Sequence, residues 1–429
     1  MQCCSFFFVI VYVTNPMMTM YHIKAPKSLK ASLLLPSSKS ICNRALILNA
    51  LCEQPKPIYN LSVCDDTTVV INALSQNRDV IDVGAAGTAM RFLTAYFAGQ
   101  PAGRLVITGT ERMKNRPVRL LVDALRSAGA HIEYMEKEGF PPLCIHGKTL
   151  KGGEIALDGG ISSQYISALL MVAPMMTDGL RLHLTGHITS LPYIHMTVRL
   201  MRYYGVNVFQ EGQTFIVPPQ QYASVDHFTV ESDWSAASYW FEAVALSADR
   251  EASVTLHGLQ SDSIQGDASI VALFDNLGVQ TTFTPGGLLL TKKQRTNDGL
   301  LSFDFTAMPD MAQTVTVTCV LLGIPFRFTG LHTLKIKETD RLLALKTEVQ
   351  KFGCQIDIGA DHSLEWSGER GEYEPSPVIE TYEDHRMAMA FAPVSLCLPQ
   401  GIRIAHPEVV SKSYPSFWDD LKKARFKIK

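Results

Sequence analysis

The sequence predicts an α/β protein of two domains, each built from three copies of one small strand-and-helix unit. The first observation behind this is a recurring punctuation. ALRSAGAHIEY, LMRYYGVNVFQ, LFDNLGVQTTF and LKTEVQKFGCQIDI each pass from an amphipathic helix through one glycine into a strand-like alternation, at Gly129, Gly205, Gly278 and Gly353. The second is the spacing of those glycines, 76, 73 and 75 residues. One further step in each direction reaches VVINALSQN, ending near Asn77, and WDDLKKARF near the C-terminus, which makes six units. The third is size: 429 residues with 46% hydrophobic content exceed the roughly 250–300 residues over which a single core keeps growing. Helix, glycine and strand also follow one another in ordinary α/β proteins, so chance spacing is the competing explanation. No low-complexity linker separates the halves, and SDWSAA, Ser232 to Ala237, marks the expected division near Glu231 to Asp233.

Residues 1–19 read as an N-terminal tail, because a coherent strand pattern begins only at Tyr21. Their apolar run, Phe6 to Val13, is far shorter than the roughly 20 residues a bilayer-spanning helix needs, and no Lys or Arg precedes it. The strand from Tyr21 to Pro36 is expected to pair with the later half. Nine cysteines show no paired metal-ligand spacing, which fits reduced thiols in a cytoplasm. With 39 Lys+Arg against 41 Asp+Glu, the net charge of -2 gives no support to a nucleic-acid or membrane partner. Recognition of an anion must therefore be local.

Such local sites recur at expected helix starts. In PSSKSICNRALILNAL, Ser37 or Ser38 is the cap, Lys39 lies in the first turn, and Ser40 and Arg44 share a face at i, i+4. Free N–H groups, a hydroxyl and two cations suit a phosphate or carboxylate. GAAGTAMRFLTAYFAG is a glycine-rich turn feeding a helix, where Gly87 permits close approach of a ligand. It matches neither the lysine-containing phosphate loop nor the dinucleotide fingerprint. MKNRP sets Arg116 before a proline that can open the next helix. DGGISSQYISALLMVAP offers Ser162, Ser163 and Gln164, more polar groups than capping requires. KETDRLLALKTEVQKFG, read as one helix, carries Lys337, Glu338 and Arg341 near its start. YEDHRMAMAFA repeats the design, with Asp384 as cap and His385 and Arg386 in the first turn. As surface groups these are a solvated face. In a water-poor cleft, charges about 4 Å apart interact by about 4 kcal/mol at an effective dielectric of 20.

The strings SKSICNRA, AGTAMR, MKNRP, DGGISSQ, LPYIHMT, MPDMAQT, KETDRL, DHRMAMA and SKSYP, in this order from about Tyr21 to Trp418, resemble the 5-enolpyruvylshikimate-3-phosphate synthase family of enolpyruvyl transferases. The resemblance implies two domains of three βαβαββ-type units joined by a double crossover, with the active site between them. It implies a discontinuous domain, 20–37 with 232–429, carrying the phosphoenolpyruvate-side residues, and a domain 38–231 carrying the shikimate-3-phosphate-side residues. The implied reaction transfers the enolpyruvyl group of phosphoenolpyruvate to the 5-hydroxyl of shikimate 3-phosphate, releasing phosphate, in the shikimate pathway. By the same resemblance Lys39, Ser40, Arg44, Ser162, Ser163, Gln164, Ser190, Tyr193, Asp310 and Lys337 are expected on shikimate 3-phosphate. Lys39, Gly87, Arg116, Gln164, Arg341, Arg386 and Lys412 are expected on phosphoenolpyruvate.

Proton traffic falls to Asp310 at the 5-hydroxyl and Glu338 at the methylene or methyl carbon, with Lys39 as a further donor. No cofactor and no metal are implied, and a cytoplasmic monomer is expected. The sequence departs from the family pattern at Ala85, Thr333 and Phe92, where many relatives have Asn, Asn and Pro, while Gly87 leaves room for glyphosate. Two other readings remain at this point. One is the sister enolpyruvyl transferase of UDP-N-acetylglucosamine, which pairs Lys with Asn where Lys39-Ser40 stands; the other is an anion binder with idle carboxylates.

Overall fold

A computed structural model describes residues 19–76, 78–101, 103–295 and 299–429. Residues 1–18 of the expected tail, and Asn77 at the expected end of the first unit, lie outside the described residues. Among the described residues the strands form five four-stranded sheets and one two-stranded sheet.

The six units are visible in the pairing. In one sheet Val80–Asp82 runs parallel to Gly103–Thr108, and the hairpin His131–Tyr134 and Leu143–Gly147 returns antiparallel, its second strand beside Gly103–Thr108. The same order recurs in Gly153–Asp158, Leu180–Thr185, Thr214–Val217 and Phe209–Glu211. It recurs again in Lys30–Leu34, Ser253–His257, Gly287–Lys292 and Val279–Thr284, and in Leu301–Asp304, Phe326–Thr329, Leu364–Trp366 and Asp357–Ile358. The fifth four-stranded sheet joins the chain ends, setting Met20–Lys24 between Ile402–Ala405 and Lys427–Ile428, with Val378–Ile379 outermost. The sixth unit shrinks to Ile58–Tyr59 parallel to Phe228–Thr229. The expected single strand from Tyr21 to Pro36 is thus two strands in two sheets, because Pro26 and Lys27 interrupt it; both belong to the later half, as expected.

Gly129, Gly205, Gly278 and Gly353 all have positive φ, between 73° and 100°, the left-handed geometry that stops each helix. In the last unit Arg425 takes that place at φ 69°.

Apolar burial divides the molecule into two lobes. One cluster draws on residues 23–35 and 234–426, the other on residues 41–230. Several helices are buried almost all round, such as Ser163–Val172, Trp234–Leu246, Ala312–Leu322 and His385–Phe391. A helix of that kind is stable only inside a lobe, with sheets outside it, since each fully buried large aliphatic side chain contributes about 1.5–3 kcal/mol. The chain crosses between lobes twice, and the crossings hold each other: Ser38 N–H donates to Glu231 O at 2.9 Å and Asp233 N–H to Pro36 O at 2.8 Å. The lobes also touch elsewhere, through Arg112 and Glu383 at 2.5 Å, Ser411 and Asp65 at 2.6 Å, and Ser190 N–H donating to Thr306 O at 2.8 Å.

Candidate active site

The buried helices aim their first turns at the gap between the lobes. Lys39 and Ser40 open the helix Lys39–Ala50, whose cap Ser38 accepts from Ile41 N–H at 3.5 Å. Gly87 opens Gly87–Ala98, and Ser162 caps Ser163–Val172 by accepting from Gln164 N–H at 3.4 Å. From the other lobe come Asp310, just before Ala312–Leu322, and Arg386 in the first turn of His385–Phe391, capped by Asp384 as expected. Unpaired N–H groups at several helix starts give the cleft a positive field before any side chain is counted.

The expected helix at Lys337 starts later. Asp340 caps Arg341–Gln350, accepting from Leu343 N–H at 3.2 Å, so Lys337 and Glu338 lie on the preceding turn and approach the cleft without helical spacing. Pro117 likewise precedes the next helix, Arg119–Ser127, without opening it.

The structure brings all the expected site residues together. Ser162, Ser163, Gln164, Ser190 and Tyr193 line one wall with Lys39, Ser40 and Arg44, while Asp310, Lys337, Glu338, Arg341 and Arg386 line the facing one. Gly87 and Arg116 line the cleft as well. Lys412 reaches the same place through Glu338, its Nζ 2.7 Å from Oε1.

The facing wall is a network of shared charges. Arg341, 2% exposed, donates to Asp310 at 2.8 Å, to Glu338 at 2.8 Å and to Asp384 at 2.6 Å. Asp310 also holds Arg386 at 3.2 Å and Lys337 at 3.3 Å. Burial alone would raise the Asp310 carboxyl, but Lys337, Arg386 and Arg341 hold it well below its ordinary range. Glu338 is likewise held down against burial, by Lys412 and Arg341. Both are carboxylates in the ligand-free cleft. Lys39 pairs with Asp66 at 3.2 Å, and although burial disfavours its charge, Asp66 keeps its pKa above the usual lysine value.

The opposite wall carries cations that contact no carboxylate. Arg44 donates to Thr197 Oγ1 at 2.7 Å, Ser40 O at 2.9 Å, Ser167 Oγ at 3.2 Å and Tyr193 O at 3.4 Å, all neutral acceptors. Arg91 donates to Gly87 O and Pro117 O. Arg116 Nε is buried without a hydrogen-bond partner, as are Thr333 Oγ1 and both ring nitrogens of His385. Burial brings both Arg44 and Arg116 down to about 10, with Arg91 adding to the effect on Arg116; both stay charged at neutral pH. Buried positive charge and unpartnered polar atoms in one cavity describe a place for a polyanion.

Some members of this arrangement are not legible in the sequence. Asp66 follows Lys39 by 27 residues in a separate helix, and no spacing rule connects them. Arg91 stands one turn after Gly87 inside AGTAMR, where the i, i+4 spacing was the available signal. Asp267 accepts from Tyr193 Oη at 2.8 Å and Ser235 Oγ at 2.5 Å, tying one lobe to the other. Of the departures from the family pattern, Phe92 lies under Arg44, the guanidinium carbon 5.2 Å from its ring centre, and Thr333 lines the cleft. Ala85 is exposed and outside the cleft lining.

Comparison with known proteins gives a consistent result. A family model described as EPSP synthase (3-phosphoshikimate 1-carboxyvinyltransferase) matches residues 23–78 and 69–421. A 3-phosphoshikimate 1-carboxyvinyltransferase from Bacteroides fragilis (strain YCH46) is 54% identical over 410 residues, covering 95% of this chain and 98% of its own. One from Sulfurovum sp. is 35% identical, covering 93% and 97%. Among solved structures, EPSP synthase from Acinetobacter baumannii superposes with a TM-score of 0.74 at 20% identity, covering 96% of this chain and 99% of that one, a likeness of fold.

Proposed function

This chain belongs to the EPSP synthase family, and on that premise we propose how its cleft carries out the reaction. The chain is a transferase of the shikimate pathway that moves the enolpyruvyl group of phosphoenolpyruvate to the 5-hydroxyl of shikimate 3-phosphate and releases phosphate. Its substrates are small molecules.

In our reading shikimate 3-phosphate lies along Ser40, Ser162, Ser163, Gln164, Ser190 and Tyr193, with Lys39 and Lys337 supplying charge. Arg44 has most of its N–H groups committed to protein, so it contributes mainly its uncompensated charge. Phosphoenolpyruvate lies between Arg116 and Gly87 on one side and Arg341, Arg386 and Lys412 on the other, with Lys39 and Gln164 reaching both substrates. Guanidinium groups suit this task because they bind carboxylate and phosphate through two parallel hydrogen bonds.

Addition forms the bond from the 5-hydroxyl oxygen to C2 of phosphoenolpyruvate as a proton is delivered to its methylene carbon and the hydroxyl proton leaves. Elimination then breaks the C2–phosphate bond and removes a proton from the new methyl group. Asp310 accepts the hydroxyl proton, and Glu338 with Lys39 serves the carbon. The depressed pKa values of the two carboxylates make both weak bases in the free cleft. Substrate corrects this: a phosphate and carboxylate drawing on Arg341, Arg386 and Lys412 relieve Asp310 and Glu338 of the cations that hold them down. The reading rests above all on one observation, that Arg341 bridges Asp310 and Glu338 at 2.8 Å each while Arg44 and Arg116 across the cleft have no carboxylate partner.

The mutually hydrogen-bonded crossings near Ser37 and Ser232 act as the hinge, dividing 20–37 and 232–429 from 38–231. Among the described residues no helix is long and apolar enough to cross a membrane. In this reading the chain is a cytoplasmic monomer acting on small molecules, and the near-zero net charge fits that better than a nucleic-acid partner.

The test is phosphate release from phosphoenolpyruvate. Release with shikimate 3-phosphate and none with UDP-N-acetylglucosamine is expected. The reverse pattern assigns the chain to the sister activity, and release with neither leaves only an anion binder.

A further inference from the structure

Away from the cleft, on the sheet of residues 80–147, three metal-ligating side chains meet on one face. His131 and His146 are directly opposed across the antiparallel pair His131–Tyr134 and Leu143–Gly147, and Glu133 stands two residues along the edge strand, on the same face. Both ring Nε2 atoms lie near one carboxylate oxygen: Glu133 Oε1 is 3.1 Å from His131 Nε2, a hydrogen bond, and 3.4 Å from His146 Nε2. The two imidazoles stack, with ring centres 4.3 Å apart and planes 19° from parallel. All three donor atoms lie within 4.8 Å of one another.

Three atoms that each carry a lone pair converge only with a hydrogen or a cation between them, and a neutral ring N–H supplies the first. The distances also fit an ion. Metal–nitrogen and metal–oxygen bonds of about 2.0–2.1 Å in a tetrahedron place the donor atoms about 3.3–3.4 Å apart, close to the two edges already present. Closing the third edge requires the stacked rings to tilt so that both lone pairs meet at the ion. The Cys144 thiol, opposite Glu133 in the ladder, lies 3.6 Å from His146 Nε2.

We propose that His131, Glu133 and His146 bind a zinc-class divalent transition ion, with water in the fourth position. Two imidazoles and one carboxylate are a borderline donor set suited to such an ion, and unsuited to calcium or magnesium, which take oxygen ligands. The ion is a structural clip rather than part of the reaction. It pins the edge strand His131–Tyr134 to its neighbour, and the loop between the two strands carries Glu136, whose carboxylate holds Lys114 at 2.9 Å, two residues before Arg116.

The test is titration of the metal-stripped full-length chain with zinc chloride, read by calorimetry and thermal melting. One saturable equivalent in the micromolar range and a raised melting temperature are expected. His131→Gln/His146→Gln, at positions with no large buried area, should melt like the metal-free wild type, release phosphate at the wild-type rate, and bind that equivalent at least tenfold more weakly. Cobalt(II) in the wild type should show the intense visible absorption of a tetrahedral centre, and Cys144→Ser should retain it. Absence of saturable binding, or equal binding by the double variant, overturns the proposal, as does loss of binding in Cys144→Ser alone.

Discussion

Gly87 leaves the Arg116 guanidinium the space it occupies: a Cβ built at Gly87 would lie 2.6 Å from Arg116 Nη1 and 3.0 Å from its Cζ. The glycine is needed here for close approach, and no positive φ is involved. Gly87→Ala displaces the far end of the Arg116 side chain, which a flexible arginine accommodates at small cost in stability. Because the displaced guanidinium leaves its proposed ligand-gripping position, the KM for phosphoenolpyruvate should rise about tenfold, the loss of one such contact, with a smaller change for shikimate 3-phosphate. Steady-state kinetics with each substrate varied checks this, and equal shifts in both KM values would contradict it.

In the proposed arrangement Lys39 stands where the two substrate regions meet, with its charge sustained by Asp66. Lys39→Ala should lower kcat by about 10²–10⁴-fold, the usual contribution of a positioned proton donor. Turnover at saturating substrate decides the point, and a near-wild-type rate removes Lys39 from the proton path.

Glu242 is fully buried in the helix Trp234–Leu246, and neither of its oxygens has a hydrogen-bond partner. The nearby Thr318 hydroxyl donates instead to Thr314 O at 2.8 Å. Burial pushes the Glu242 carboxyl well above the ordinary value of 4.5, so the folded protein keeps a proton that the unfolded chain gives up. Because the folded state binds more protons across that window, stability falls as pH rises from the unfolded value toward the raised folded one. Glu242→Gln removes this slope and should be more stable than wild type near pH 8, with the advantage shrinking toward pH 4. Urea denaturation at both pH values measures the difference, and an advantage that grows on acidification would refute the assignment.

Contacts such as Arg112 with Glu383 and Ser411 with Asp65 hold the lobes against each other around the cleft. These partly exposed pairs are worth about 0–1 kcal/mol each, and the hydrogen bonds of Ser190 to Thr306 and Tyr193 to Asp267 add about 0.5–3 kcal/mol each, a hold small enough for ligand binding to shift. Small-angle scattering should therefore give a larger radius of gyration for the free protein, contracting with shikimate 3-phosphate toward the value of this structure. An unchanged radius would exclude hinge motion at Ser37 and Ser232.

What the sequence disclosed and what it withheld follow from the range of the interactions involved. Gly129, Gly205, Gly278 and Gly353 were legible because a left-handed helix stop is a local demand on one residue. The cap Asp384 was legible for the same reason, and the cap before Lys39 only as a choice between Ser37 and Ser38. The start of the helix at Arg341 was misplaced because Lys337 and Glu338 mimic helical spacing while Asp340 supplies the actual cap. The partners Asp66, Asp267 and Asp384 depend on chain segments meeting in space, and no periodicity reports that. Phe92 shows the limit most plainly. Its place in the sequence gives no reason for the departure from the family pattern, whereas in the fold the Arg44 guanidinium lies over its ring.

The central claim is that cations from both lobes grip one phosphoenolpyruvate while Asp310 faces the acceptor hydroxyl. The most direct measurement is the structure of the ternary complex with shikimate 3-phosphate and a non-reacting phosphoenolpyruvate analogue. The account predicts Arg116, Arg341, Arg386 and Lys412 on the analogue's phosphate and carboxylate, with Asp310 within hydrogen-bonding distance of the 5-hydroxyl. An analogue bound without Arg116, or an Asp310 still locked to Arg386 and remote from that hydroxyl, would contradict it.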